Sequence, residues 1–482
     1  MTLLKELLGW WSRAMFLDYI KKKFRVVVID TEFQFDAAMS YVNTPLCIVM
    51  KDLSTGQVYK YWDHQSKDFA QQHFDYEKTL FVCHYSIAEV SYFLARLLGR
   101  PPFIFDTWTE YSKLYKNRRN SMSLLAAATA YGYKDATSQE EKDRYRDMCI
   151  NQNTWTREEQ NGILNYCEAD VLMTEKVFYG LCQDLEKICS DDYEILLEQA
   201  LARGQAMACV AKAQKNGIPM DGAAVNDFNT YWADVKDSVI QRFNKQLNLW
   251  DENSKFSNVK FYSLIEKLDL LSEWPRTPKG KLKTNNSTFE LFADVFPEIK
   301  KIKRIFNLLN STKLAEYIMS EDGRYRPHGG FKMFGTHTGR CAPSSKWVFG
   351  TAKWGRNFMK PSYGNVLVYL DYKSEEPFIS ARLSGDKALE DAYNSGDIYL
   401  HTAKLAGLAP ANATKETHGD IRKVFKVIVL ASNYGMGVSS ISKSLKKFNI
   451  NASEAAGLLR QYKDIYHVYF DWVEVRTNHA QM

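Results

Sequence analysis

Val26-Val27-Val28-Ile29 and Leu80-Phe81-Val82-Cys83 are short, unbroken apolar runs rich in β-branched and aromatic residues. Runs of this length without alternation predict strands buried on both faces. Helical periodicity surrounds them, so residues 25–190 are expected to form an α/β domain. From residue 191 to about 320 the apolar positions recur at helical spacing, interrupted by Asn216-Gly217-Ile218-Pro219 and by the turn-rich stretch from Trp274 to Gly280. Val366-Val368 and their neighbours through Leu370 predict another buried strand, and the pattern beyond Asp371 is helical to Met482. Residues 1–24 are rich in Leu and Trp but are broken by Lys5, Glu6, Arg13 and Asp18, which predicts an amphipathic helix and not a signal peptide. The expected divisions are therefore 1–24, 25–190, 191–325 and 326–482.

Composition narrows the class. A chain of 482 residues with 45% hydrophobic and 25% charged residues is expected to fold into two or three soluble domains. No apolar run reaches the roughly 18 residues of a transmembrane helix, so no membrane partner is expected. The eight cysteines show no CxxC spacing and no disulfide cadence. They read as buried apolar groups in a reducing, cytoplasmic compartment. The net charge is only +6, from 63 basic and 57 acidic residues, so its distribution carries more information. Residues 276–313 hold nine basic and three acidic side chains, and residues 324–370 hold eight basic and none acidic. Trp347, Trp354, Phe331, Phe334, Phe349 and Phe358 lie among the latter cations, as suits phosphates meeting charge and bases meeting rings.

Candidate chemistry starts where the first apolar run reaches Asp30-Thr31-Glu32. Strand side chains alternate, so both carboxylates are expected on one face at the C-terminal edge of a sheet. Two like charges that close require either a proton on one or a cation between them, and hard oxygen ligands favour Mg²⁺ or Mn²⁺. Glu89 follows the second strand, and Tyr166 and Asp170 stand one helical turn apart. Downstream, the predicted strand delivers Asp371, with Glu376 five residues on. Arg422, Lys426, Leu430 and Tyr434 recur every four residues and form a slowly turning strip on a helix otherwise too apolar for easy exposure.

The ordered set Asp30, Glu32, Glu89, Tyr166 and Asp170 resembles the three motifs of the DEDD exonucleases in their tyrosine-bearing branch, with Glu89 where Asp is usual. The string Leu370-Asp371-Tyr372-Lys373-Ser374-Glu375-Glu376 and the pattern Arg422-x-x-x-Lys426-x-x-x-Leu430-x-x-x-Tyr434-Gly435 resemble motifs A and B of family A, polymerase-I-like DNA polymerases. Asn216 to Asp221, Thr277 to Thr284, Thr338-Gly339-Arg340 and Asp397-Ile398 extend the likeness over nearly the whole chain from Arg25.

The resemblance implies a ribonuclease-H-like 3′-5′ exonuclease domain, a helical tether and thumb, and an incomplete palm and fingers. It implies two Mg²⁺ or Mn²⁺ ions per active site, held by Asp30, Glu32 and Asp170 with Glu89 in support, and in the palm by Asp371. Tyr166 would orient the attacking water. Tyr372 would lie beside the incoming nucleotide, and Glu376 would be the steric gate against a ribose 2′-hydroxyl. Arg422 and Lys426 would hold the triphosphate, with Lys426 protonating the departing pyrophosphate. Tyr434 would pack near the templating base, while Leu430, where Phe or Tyr is usual, is expected to alter sugar discrimination. Lys279, Lys281, Thr338, Arg340 and Gly435 would contact DNA. The implied ligands are primer-template and single-stranded DNA and dNTPs.

Family A polymerases carry a further palm carboxylate in a His-Asp-Glu motif beyond motif B, and no such motif follows Gly435 here. The expectation is a split or truncated polymerase of the phage type, acting in the bacterial host cytoplasm, whose second polypeptide supplies that motif. An exposed apolar junction is expected near Ile465 to Trp472. The alternatives are a stand-alone Mg²⁺-dependent 3′-5′ exonuclease with a DNA-gripping polymerase remnant, and a non-catalytic DNA-binding scaffold.

Overall fold

A computed structural model describes residues 15–35, 43–63, 74–117, 121–134, 139–188, 192–293, 295–311, 319–327, 331–336, 338–344 and 347–481. The first 14 residues of the expected amino-terminal helix lie outside them; the described part, α1 (Met15–Lys23), buries Phe16 and Ile20. The chain divides into two compact units, Met1–Leu367 and Val368–Met482.

The first unit is built on a five-stranded sheet: β1 (Arg25–Phe35), β2 (Asn43–Asp52), β3 (Val58–Trp62), β4 (Thr79–Cys83) and β5 (Ile104–Asp106). Their order is β3-β2-β1-β4-β5, with β1–β2 and β2–β3 antiparallel and β1–β4 and β4–β5 parallel. Helices α2 (Ile87–Ala95), α3 (Thr107–Tyr115), α4 (Gln139–Asn151), α5 (Arg157–Ile188) and α6 (Tyr193–Asn216) accompany it. Val26 and Val28 point into a core shared with Ile163, Cys167, Val171 and Phe178 of α5. Val27 and Ile29 point the other way, into a core shared with Val90 and Phe93 of α2 and Met207 of α6. Both faces of β1 are thus covered, which is why its sequence is continuously apolar instead of alternating.

One boundary differs from expectation. β1 does not stop at the acids but runs to Phe35, with a register shift between Glu32 and Phe33. Its parallel pairing with β4 ends at Val28, whereas the antiparallel pairing with β2 continues. The apolar run therefore marks the doubly flanked part of the strand, and Asp30 and Glu32 occupy the part flanked only by β2.

The helical middle region has its own core. Helices α7 (Gly222–Leu247), α8 (Asn258–Lys267), α9 (Asn286–Phe292) and α10 (Pro297–Ser311) gather around Trp250, Phe261, Trp274, Phe289 and Ile302. Two short ladders follow, β6 (Ile218–Pro219) with β7 (Arg324–Tyr325) and β8 (Phe331–Lys332) with β9 (Ala342–Pro343).

The second unit is helical, as the pattern beyond Asp371 indicates: α11 (Glu375–Ser384), α12 (Lys387–Asn394), α13 (Ile398–Leu405), α14 (Gly419–Asn433), α15 (Val438–Leu445), α16 (Ala452–Ile465) and α17 (His467–Gln481). Its core joins Phe425, Ile428 and Val429 of α14 to Tyr462 and Tyr466.

Two expectations fail here. Val366 to Leu370 forms no strand, and its five side chains are 59–87% exposed. A strand exists only through a neighbour that takes its N–H and C=O groups, and no ladder among the described residues reaches this run. The expected apolar exposure near Ile465 to Trp472 is confined to Val468, 40% exposed: Tyr466 and Tyr469 are buried, and Ile465, Phe470 and Trp472 pack against the unit's core. Asp386 contributes to this closure, because its buried carboxylate accepts the backbone N–H of Tyr469 at 3.0 Å.

Candidate functional site

The alternation that aims Val26 and Val28 at α5 also aims Asp30 and Glu32 at it. On α5, Thr156 and Glu159 cap the amino terminus reciprocally, the Thr156 N–H donating to Glu159 at 2.8 Å and the Glu159 N–H to the Thr156 hydroxyl at 3.2 Å. Ile163, Cys167, Val171 and Phe178 then seat the helix on the sheet. Asp170 is thereby brought to the strand acids: carboxylate oxygens of Asp30, Glu32 and Asp170 lie within 4.8 Å of one another. All three residues are half-buried.

Glu89 enters from the first turn of α2. Asp106 fixes that turn by accepting the backbone N–H of Ser86 at 2.7 Å and its hydroxyl at 2.6 Å. Glu89 is only 2% exposed, and its Oε2 has no hydrogen-bond partner. Burial, followed by the charge of Asp30, raises its carboxyl well above the ordinary carboxylate range. A buried, orphaned carboxylate oxygen beside three converging carboxylates is the donor set of a hard divalent cation, so these residues fit Mg²⁺ or Mn²⁺.

Tyr166 stands one turn from Asp170 on α5, and its ring stacks on Tyr145 of α4 at 5.5 Å with an interplanar angle of 18°. Burial and the neighbouring carboxylates push its phenol upward, so it remains a neutral O–H. Cys167 donates its S–H to Asp30 Oδ2 at 3.2 Å. Neither the Tyr145 stack nor the Cys167 contact is visible in the spacing of the acid motifs.

In the second unit, Asp371 and Tyr372 are exposed and lie outside regular structure. Glu376 sits in the first turn of α11 and accepts the hydroxyl of Tyr434 at 3.0 Å across 58 residues. Helix α14 presents Arg422, Lys426 and Leu430 on one side while Val424, Phe425, Ile428 and Val429 are buried on the other. Arg422 Nε donates to Asp397 Oδ2 at 2.5 Å. The Arg422 guanidinium and the Lys426 ammonium stand 5.3 and 5.9 Å from the Tyr399 ring centre. A cavity of about 590 Å³ opens at the amino end of α14, lined by Lys415, His418, Arg422 and Lys423 together with Glu416 and Asp420. Gly435 follows with φ +69°, the left-handed conformation that a glycine adopts without strain. The Glu376–Tyr434 and Arg422–Asp397 pairings join residues whose separation in the chain gives no local signal.

The expected DNA contacts occupy turns. Lys279 and Lys281 are exposed on a hairpin closed by the Arg276–Leu282 bridge and by the Trp274 indole donating to the Lys283 carbonyl at 2.9 Å. Thr338 and Arg340 are exposed on the turn between β8 and β9, where the Thr336 N–H donates to the Arg340 carbonyl at 3.0 Å. Among the described residues, no helix is long and apolar enough to cross a membrane.

Comparison with known proteins adds an independent line. Residues 227–482 match the family model described as DNA polymerase family A. DNA polymerase I of Aquifex aeolicus is 25% identical over 331 residues, covering 64% of this chain and 55% of that protein. DNA polymerase I of Borreliella burgdorferi is 23% identical over 380 residues, covering 76% of this chain and 39% of that protein. The thermostable DNA polymerase I of Thermus aquaticus is 27% identical over 223 residues, covering 44% and 26%. The chain thus spans about half or less of the length of these relatives. Among solved structures, the POL domain of Pol1 from M. smegmatis, in complex with DNA primer-template and dNTP, has a similar fold. Its TM-score is 0.64 at 17% identity, covering 96% of this chain and 77% of that one.

Proposed function

The chain belongs to DNA polymerase family A, and from that premise we propose that it combines template-directed DNA synthesis with 3′-5′ proofreading hydrolysis. The single observation that carries the hydrolytic half is the convergence of Asp30, Glu32 and Asp170 beside the buried, orphaned Glu89. The β3-β2-β1-β4-β5 order, antiparallel on one side of β1 and parallel on the other, supports a ribonuclease-H-like exonuclease of the tyrosine branch.

Divalent cations, when bound by Asp30, Glu32 and Asp170 with Glu89 in support, supply water activation and neutralise charge at the departing 3′-oxygen. The chain's own residues do the rest. Tyr166, neutral and braced by Tyr145, donates its O–H to orient water and does not act as a phenolate base. The strand acids stay fixed because β1 remains laddered to β2 beyond both of them.

For synthesis, the ligands carried by the M. smegmatis neighbour, primer-template DNA and dNTP, are the ligands proposed for this chain. Arg422, Lys426 and the basic lining at the amino end of α14 would receive the triphosphate, and Lys426 would protonate the departing pyrophosphate. The hydrogen bond from Tyr434 sets Glu376 in place as a sugar gate. Asp371 is the one palm carboxylate assigned here, and two divalent ions require more oxygen ligands than it offers. We therefore infer that synthesis needs a further palm carboxylate in addition to Asp371. The exposed run Val366 to Leu370, an apolar strand sequence without a ladder among the described residues, supports a palm that needs a further segment to pair with it. The same observation favours a second reading, in which the chain alone is a Mg²⁺-dependent exonuclease and its polymerase part only grips DNA.

A 3′-labelled single strand and a primed template, each incubated with Mg²⁺, test both. The expected result is terminal degradation that Asp30→Ala abolishes, with primer extension appearing only when a segment carrying the further palm carboxylate is present. Efficient extension by residues 1–482 alone overturns the need for a further palm carboxylate, and degradation that survives Asp30→Ala overturns the exonuclease assignment.

A further inference from the structure

Cys167 is fully buried on α5, between Tyr166 and Asp170, and its S–H reaches Asp30 Oδ2 at 3.2 Å. Behind it Cys47 of β2, also fully buried, stands opposite Glu32 in the β1–β2 ladder and is in hydrogen-bond contact with Cys167. The position could be filled by any small apolar residue if packing were its whole role, because the buried face of α5 is otherwise Ile163, Val171 and their neighbours. A thiol differs from such a residue in having one directional donor. That donor is spent on a carboxylate of the cluster, on the part of β1 that has lost its β4 neighbour. Nor does the sulfur read as a ligand: the atoms that converge are the oxygens of Asp30, Glu32 and Asp170, and hard cations select oxygen over sulfur.

We propose that Cys167 is a positioning residue for the cation site: its S–H holds one oxygen of Asp30 so that the remaining lone pairs face the ion. This inference rests on reading Asp30, Glu32 and Asp170 as a divalent cation site. Partners of metal ligands typically change affinity 10–100-fold, and a thiol is a weak donor, so the expected effect of its loss is about tenfold.

The test is Mn²⁺ binding to the full chain, followed by the electron paramagnetic resonance signal of free Mn²⁺, in an Asp371→Asn background so that the α/β site is counted alone. Cys167→Ala is expected to weaken binding by about tenfold, and Cys167→Ser, which restores a hydroxyl donor, to recover most of it. Cys47→Ala removes a neighbouring buried thiol but leaves the donor to Asp30, and is expected to bind close to the unmodified chain. Unaltered binding by Cys167→Ala overturns the proposal, as does a serine variant no better than alanine or a Cys47→Ala loss equal to that of Cys167→Ala. Should the unmodified chain take up no Mn²⁺, the cation-site reading itself falls; should it bind normally while Cys167→Ala matches it, only the positioning role falls.

Discussion

Replacing Asp30 by Asn should have opposite effects on stability and on chemistry. The carboxylate oxygens of Asp30, Glu32 and Asp170 lie within 4.8 Å of one another, so each charged pair repels by about 3.5 kcal/mol at an effective dielectric of about 20, and by about 0.9 kcal/mol in bulk water. Asp30 takes part in two such pairs. Because all three side chains are half-exposed, the relief belongs near the lower limit, about 2–3 kcal/mol in the cation-free chain. Asn keeps an oxygen that can accept the Cys167 S–H, so little packing is lost. For the 367-residue unit that holds Asp30 this corresponds to a rise of about 3–4 °C in its melting transition. Calorimetry in chelator reads that shift directly. Added Mg²⁺ at about a hundred times its dissociation constant stabilises the unmodified chain by about 2.7 kcal/mol and leaves Asp30→Asn where it was. Lower stability of Asp30→Asn in chelator, or an equal Mg²⁺ response in both chains, refutes the reasoning, because either outcome means that the acids neither repel nor share an ion.

Three further outcomes follow from other parts of the molecule. Glu89 holds its proton in the cation-free folded state well above the ordinary 4.5, so the folded chain binds more protons than the unfolded one and stability declines as pH rises past that value. Glu89→Gln should flatten this decline above the ordinary carboxylate range in urea titrations done in chelator; a variant with the same slope as the unmodified chain removes Glu89 as its source. Gly204 of α6 lies so close to β5 that an added Cβ would stand 2.1 Å from the Ile104 carbonyl oxygen. Backbone cannot yield as a flexible side chain does, so Gly204→Ala should destabilise by about 3 kcal/mol or more in a denaturant titration, and a change below about 1 kcal/mol contradicts the contact. Lys279→Ala with Lys281→Ala should weaken duplex binding and lower the slope of log K against log salt by about 1.8, the value for two lost phosphate contacts. An unchanged slope places neither lysine on DNA.

Much of the acid site was legible in the chain because its pieces are local. An apolar run ending in Asp30-Thr31-Glu32 states its own strand and side-chain parity, and the four-residue step from Tyr166 to Asp170 states a shared helix face. The strip Arg422, Lys426, Leu430 was legible for the same reason. What escaped was the partner across space. Cys167 meets Asp30 over 137 residues, and Tyr434 meets Glu376 over 58. Neither pair leaves a periodic trace. Val366 to Leu370 shows the converse error: its residues have strand propensity, but a strand is a property of two segments, and composition reports only one. Ile465 to Trp472 misled in the other direction, since its aromatic residues close the core of the second unit and Asp386 anchors their backbone.

The most direct test of the carboxylate site is a crystal of the full chain grown with Mn²⁺ and a single-stranded oligonucleotide, with anomalous scattering measured at the manganese edge. The expected result is anomalous density among Asp30, Glu32 and Asp170 with the 3′-terminal phosphodiester beside it. A chain that holds the oligonucleotide 3′ end elsewhere, or shows no anomalous peak among these three carboxylates, contradicts the account.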